Sequence, residues 1–174
     1  MNNKLDKTVL LVDDEADVRA FLSVALREAG FNVEIACDGN EALEKVKRNK
    51  PDIISLDLVM PGKSGVMFHR ELVRNKEWAK IPIIIVTGHA RDEIGKADLK
   101  ELTMSGPGIY LEKPVKPDNY IAAIKRILGM EISGAEKEAA ETVELQNKLK
   151  NLVDRADPET LKRLKELLSG NEDE

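Results

Sequence analysis

The chain has 174 residues, 42% of them apolar but only 3% aromatic, and a net charge of −5. That supports one domain with a core of Ile, Leu, Val and Ala plus an appendage. It argues against a basic nucleic-acid face, and no apolar run approaches the ~18 residues a membrane helix needs. Cys37 is the one cysteine, which excludes an intramolecular disulfide. It reads as a buried structural thiol in a reducing compartment. The start, "MNNKLDKTVLLVDDE", has no apolar signal core, so a soluble cytoplasmic protein is expected.

Residues 7–12, "KTVLLV", form a short β-branched run. Helical spacing follows, with Val18, Phe21, Leu22, Ala25 and Ala29 on one stripe and Gly30 as a stop. "NVEIA" (32–36) is a polar strand and "GNEALEKVKRNK" a helix. "PDIISLD" (51–57) is the third strand, and the next helix starts near Ser64. Trp78 reads as a packing anchor in the following loop, and His69 as a surface residue. "IPIIIVTG" (81–88) is the most apolar strand. A helix near 91–104, the strand "GIYLE" (108–112) and a helix from about Pro117 to Leu128 complete the pattern.

Five strands alternating with five helices predict an α/β fold, a doubly wound five-stranded parallel sheet. The apolar runs place the first, third and fourth strands centrally, which gives the order 2-1-3-4-5. In such a sheet the ligand crevice lies at the carboxyl ends of the strands, beside the switch point between the first and third. Asp13-Asp14, Asp57, Thr87 and Glu112-Lys113-Pro114 all fall at those ends. Three converging carboxylates repel one another unless a cation intervenes. Hard oxygen ligands suit Mg²⁺, Lys113 adds positive charge, and the Thr87 hydroxyl can donate a hydrogen bond. Those are the needs of phosphoryl transfer to an aspartate nucleophile.

"LLVDDE", "SLDLVMPGKSG", "IIIVTGHA" and "YLEKPV" together resemble the receiver (CheY-like, flavodoxin-like) domain of two-component response regulators. The resemblance covers residues 7–128. It implies a phospho-accepting signalling switch that catalyses only its own phosphorylation and dephosphorylation, not a conventional enzyme. Asp57 would be the phosphoacceptor. Asp14 would bind Mg²⁺ directly, Asp13 largely through water, and the Val59 backbone carbonyl would complete the metal shell. Thr87 would hydrogen-bond the phosphoryl group, Lys113 would pair with it across a cis Lys113-Pro114 bond, and Tyr110 would move with Thr87. Val59 and His89 would set the phosphoryl lifetime. Glu15 reads as a first-turn helix charge. The phosphodonor would be a sensor histidine kinase or a histidine phosphotransfer protein; the alternative function is a relay that passes the group onward to such a protein. Haloacid-dehalogenase-like phosphatases share the chemistry but need an acid two residues after the nucleophile, where this chain has Val59. No nucleotide-binding glycine motif is present.

Residues 1–129 are thus expected to form the receiver domain, 130–134 a linker, 135–170 a helical extension and 171–174 a disordered tail. Residues 130–174 carry the whole net charge. Leu145, Leu149, Leu152 and Ala156 form one stripe, and Leu161, Leu164, Leu167 and Leu168 another. Asp157 and Pro158 restart the second helix. Two short helices make no core alone, and the segment is too short and acidic for a winged-helix DNA-binding output. The stripe Leu145, Leu149, Leu152 with Leu161 and Leu164 is therefore expected to mediate homodimerisation or partner docking. Its nearest surface would be the face built by the helix near 91–104, the strand 108–112 and the helix 117–128. The alternative is a helical hairpin folded back on the receiver.

Overall fold

The computed structural model describes residues 5–88 and 109–169. The helix expected near 91–104, His89, Gly170 and the terminal 171–174 lie outside the described residues.

Five strands, β1 (Thr8–Val12), β2 (Asn32–Ala36), β3 (Ile53–Leu56), β4 (Ile83–Thr87) and β5 (Ile109–Glu112), pair in parallel in the order β2-β1-β3-β4-β5. Among the described residues the helices are α1 (Ala16–Glu28), α2 (Gly39–Arg48), α3 (Gly65–Arg74), α4 (Pro117–Ile127), α5 (Gly134–Arg155) and α6 (Pro158–Ser169), with a 3₁₀ turn at Trp78–Lys80. Because successive strand side chains alternate between faces, β1 sends Val9 and Leu11 into one apolar layer and Leu10 and Val12 into the other. The first layer also holds Leu22 and Leu26 of α1 and Ile121 and Ile124 of α4. The second holds Ala42 and Val46 of α2 and Phe68 and Leu72 of α3, with Trp78 packed against it as expected. Both faces of the sheet are covered, which is why the central strands read as unbroken apolar runs.

Three expectations fail locally. Phe21 is 52% exposed, and Leu26 takes the buried position with Leu22. His69 is buried, because it shares the inner stripe of α3 with Gly65, Phe68 and Leu72. Cys37 is exposed. β2 ends with Ala36 pointing inward, so the next residue turns out, and the Cys37 amide donates to Glu41 Oε2 at 2.8 Å.

Gly129 takes a left-handed conformation after α4, with φ of 64°. Met130 packs on the α1/α4 layer, and Ser133 caps α5 in a reciprocal box with Glu136. Asp157 Oδ1 accepts the amides of Glu159 and Thr160, as its capping role predicts. The first half of α5 lies on α4 and β5, burying Ala140 and Val143. Leu145, Leu149 and Leu152 face outward at 58%, 53% and 66% exposure, and Leu161 is 37% exposed. The Leu164 side chain lies outside the described residues. The stripe therefore does not sit on the receiver's β5 side, since the Ala140, Val143 and Asn147 face of the same helix has taken that surface.

Gly65 fixes the loop that carries the third strand's tip. A Cβ there would overlap the Asp57 carbonyl oxygen and lie 2.8 Å from Leu58 Cα. Both neighbours are backbone and cannot swing aside. Gly65→Ala is expected to destabilise the fold by about 2 kcal/mol or more, read as a lowered urea midpoint at unchanged slope.

Candidate phosphoacceptor and metal site

The loops after β1, β3 and β5 bring their polar residues to one point. Lys113 Nζ lies 2.6 Å from Asp57 Oδ2, 2.8 Å from Asp13 Oδ2 and 2.8 Å from Glu15 Oε1. Asp13 and Asp57 are 1% and 4% exposed, and Asp14 lies nearer to solvent. The remaining Asp13 oxygen accepts the Glu15 amide at 2.9 Å, and Asp57 Oδ1 accepts the Val59 amide at 3.0 Å. Lys113 is anchored by its own amide, which donates to the Thr87 carbonyl at 3.2 Å, and the Lys113-Pro114 bond is cis as expected.

Burial pushes the Asp13 carboxyl up from its ordinary value, opposed by hydrogen bonds from Lys113 and the Glu15 amide. Burial also works against the charge on Lys113. Its hydrogen bonds to Asp13, Asp57 and Glu15 outweigh that cost and hold the ammonium above the ordinary lysine value.

One carboxylate oxygen from each of Asp13, Asp14 and Asp57 lies within 4.8 Å of the others, so this cluster could hold a metal ion. An all-oxygen set of few carboxylates with open positions suits Mg²⁺ better than a nitrogen- or sulfur-preferring metal. Thr87, at the tip of the neighbouring β4, is fully buried, and its hydroxyl has no hydrogen-bond partner among the described residues. Such an orphan is costly unless something supplies an acceptor.

The structure thus gathers Asp13, Asp14, Asp57 and Lys113, with Val59 beside them through its amide. Tyr110 is half-buried against the α2/α3 layer. One participant went unrecognised in the sequence. Glu15 is the N-cap residue of α1, makes no cap bond, and spends its carboxylate on Lys113 instead of on the helix.

A family model for the response regulator receiver domain matches residues 9–125. The chain belongs to this family of two-component signalling proteins. It is 36% identical over 122 residues to the phosphate regulon transcriptional regulatory protein PhoB of Pseudomonas aeruginosa, covering 70% of this chain and 52% of that one. It is 32% identical over 120 residues to the DNA-binding response regulator MtrA of Mycobacterium tuberculosis, covering 67% and 48%. The chain spans about half the length of these relatives. Among solved structures, the chemotaxis response regulator CheY4 of Vibrio cholerae aligns with a TM-score of 0.60 and 31% identity over 70% of this chain and 98% of that one. The receiver domain of sensor histidine kinase PA1611 from Pseudomonas aeruginosa, with magnesium in its active-site cleft, aligns with 0.63 and 26% over 72% and 99%. Among the described residues, no helix is long and apolar enough to cross a membrane.

Lys113 should carry the metal-free site. Lys113→Met is expected to cost about 3 kcal/mol at pH 7.5 in EDTA, since it leaves buried charge unpaired. Asp13 has a raised folded value, so its penalty is full above that value and is relieved as pH falls through it. The gap between variant and wild type should therefore shrink at pH 4.5. Thermal unfolding at both pH values checks this, and a gap that widens in acid refutes the ion pair as the source.

Proposed function

We propose that this protein is a phosphorylation-controlled switch in which Asp57 accepts a phosphoryl group from the phosphohistidine of a cytoplasmic sensor kinase. The observation that carries the reading is the Thr87 hydroxyl, buried without an acceptor at the strand tip next to Asp57. A phosphoryl oxygen would satisfy it.

An Asp57 carboxylate oxygen attacks phosphorus, the phosphorus–nitrogen bond to the donor imidazole breaks, and the imidazole leaves with its electron pair and takes a proton from solvent. Lys113 and Thr87 hold the new oxygens. Mg²⁺, when bound, supplies charge neutralisation of the transferring group. Asp14 and Asp57 would ligate it directly, with the Val59 carbonyl. Asp13 would make its contact largely through water. Val59 offers no polar side chain to orient a hydrolytic water, so the acyl phosphate is expected to be long-lived, with His89 as a second influence. Tyr110 would report the state of Thr87. The extension would be the output, and its outward Leu145, Leu149, Leu152 and Leu161 support self-association or docking to a partner.

Acetyl phosphate with Mg²⁺ should add one phosphoryl group to the wild type and none to Asp57→Asn, by intact mass. Val59→Glu should label but decay at a different rate. Labelling of Asp57→Asn would overturn the assignment. For the output, beryllofluoride should raise the mass of the wild type in light scattering, and Leu149→Glu should stay monomeric because it places a charge in the seam. Monomers throughout would exclude self-association.

A further inference from the structure

β5 is an edge strand, and an edge exposes backbone groups in search of partners. Here one of its residues is answered by a side chain. Asn147 of α5 accepts the Tyr110 amide at 3.1 Å through Oδ1, and its Nδ2 donates to the Tyr110 carbonyl at 2.9 Å. That amide reproduces the donor–acceptor pair of a missing strand. Around it, Glu136 pairs with Lys125 and Glu144 with Arg126, each at 2.5 Å, and Val143 enters the α1/α4 layer. The packing is incomplete: a cleft of about 460 Å³ remains between α5 and β5, lined among others by Tyr110, Lys116, Asn119, Thr142 and Gln146. The helix is thus held by buried Ala140 and Val143 together with these specific polar contacts.

The residue so held lies three positions before Lys113 on a strand that has only four residues. Lys113 Nζ touches Asp57 Oδ2 at 2.6 Å, and the Lys113 amide is tied to Thr87. A phosphoryl group on Asp57 brings close to two negative charges and three oxygens into that contact. Lys113 must then re-seat, and the strand end carrying it shifts relative to the fixed amide of Asn147.

Resting on the phosphoacceptor reading above, we propose that α5 is an intramolecular latch, seated by Asn147 on the edge of β5, that phosphorylation of Asp57 releases. In the resting state this chain's own helix occupies the β5/α4 face and denies it to any other molecule. Release exposes that face together with Ala140 and Val143. Linkage makes the effect reciprocal: whatever phosphorylation does to docking, undocking does in the same proportion to the affinity for the phosphoryl state.

The test uses the full chain and measures backbone amide exchange across residues 136–147 by mass spectrometry, with and without Mg²⁺ and beryllofluoride. Labelling of Asp57 by acetyl phosphate is scored on the same preparation. Beryllofluoride should speed exchange in this segment about fivefold or more. Asn147→Ala and, separately, Glu144→Arg should each speed it without beryllofluoride and tighten apparent beryllofluoride binding in proportion. Unchanged or slower exchange in a protein that labels normally overturns the latch and leaves the phosphoacceptor reading standing. Failure to label Asp57 overturns that reading, and the latch with it. Unchanged exchange in both variants shows that Asn147 and Glu144 do not hold the helix, and overturns the proposal on the structural side.

Discussion

The contact on which the site depends is one ammonium shared by two buried carboxylates. Asp13 and Asp57 are almost wholly removed from water, where an unpaired carboxylate is very costly. They tolerate that position because Lys113 bridges them, with Glu15 as a third acceptor at the rim. The bridge is strong, but it is also committed. Anything that adds negative charge to Asp57 competes for the same ammonium, and Lys113 is built into the end of β5 through its amide bond to Thr87. On the proposed reading, a change in charge at the site would become a change in the position of an edge strand. A two-state response would follow, because packed strands and paired ions move between discrete arrangements rather than deforming gradually.

Most of this frame was legible in the residues. Unbroken apolar runs in "VLLV", "DIISL" and "IIIV" marked the strands covered on both faces, and the polar "NVEIA" marked an edge. The acids and the lysine were legible because a parallel sheet puts every strand's carboxyl end on one rim. What failed was orientation at single positions. His69 looked like surface because a polar residue on a helix usually is, yet it shares a stripe with Phe68 and Leu72. Cys37 looked like core because free thiols usually are, yet it sits one residue past an inward-facing Ala36. Glu15 looked like a helix charge because local spacing says nothing of a lysine 98 residues away.

The extension shows the limit most sharply. Hydropathy picks out the face with the most leucine, and Leu145, Leu149 and Leu152 are the obvious stripe. The face that meets the receiver carries Ala140, Val143 and Asn147. Two small residues let the helix approach closely, and one amide fits an exposed backbone pair. Neither feature has a hydrophobic signature. Both become visible only when β5 is known to be an edge and its Tyr110 groups are known to face the helix.

That choice of face has an energetic consequence. Two neutral hydrogen bonds contribute about 1 kcal/mol each, and the partly exposed Arg126–Glu144 pair contributes under about 1. Burying one valine adds roughly 1.5 to 3 kcal/mol. Against them stands the cost of ordering a helix that is marginal by itself. Coupled sites typically act over about 1–3 kcal/mol, the same order as each of these individual contributions. Had the leucine stripe been turned inward, three large side chains would have fixed the helix in place, and no rearrangement of one lysine could dislodge it. On the proposed latch, holding the helix with its polar, small-residue face would keep docking weak enough to be governed from Asp57, while Leu145, Leu149 and Leu152 stay on the outer surface.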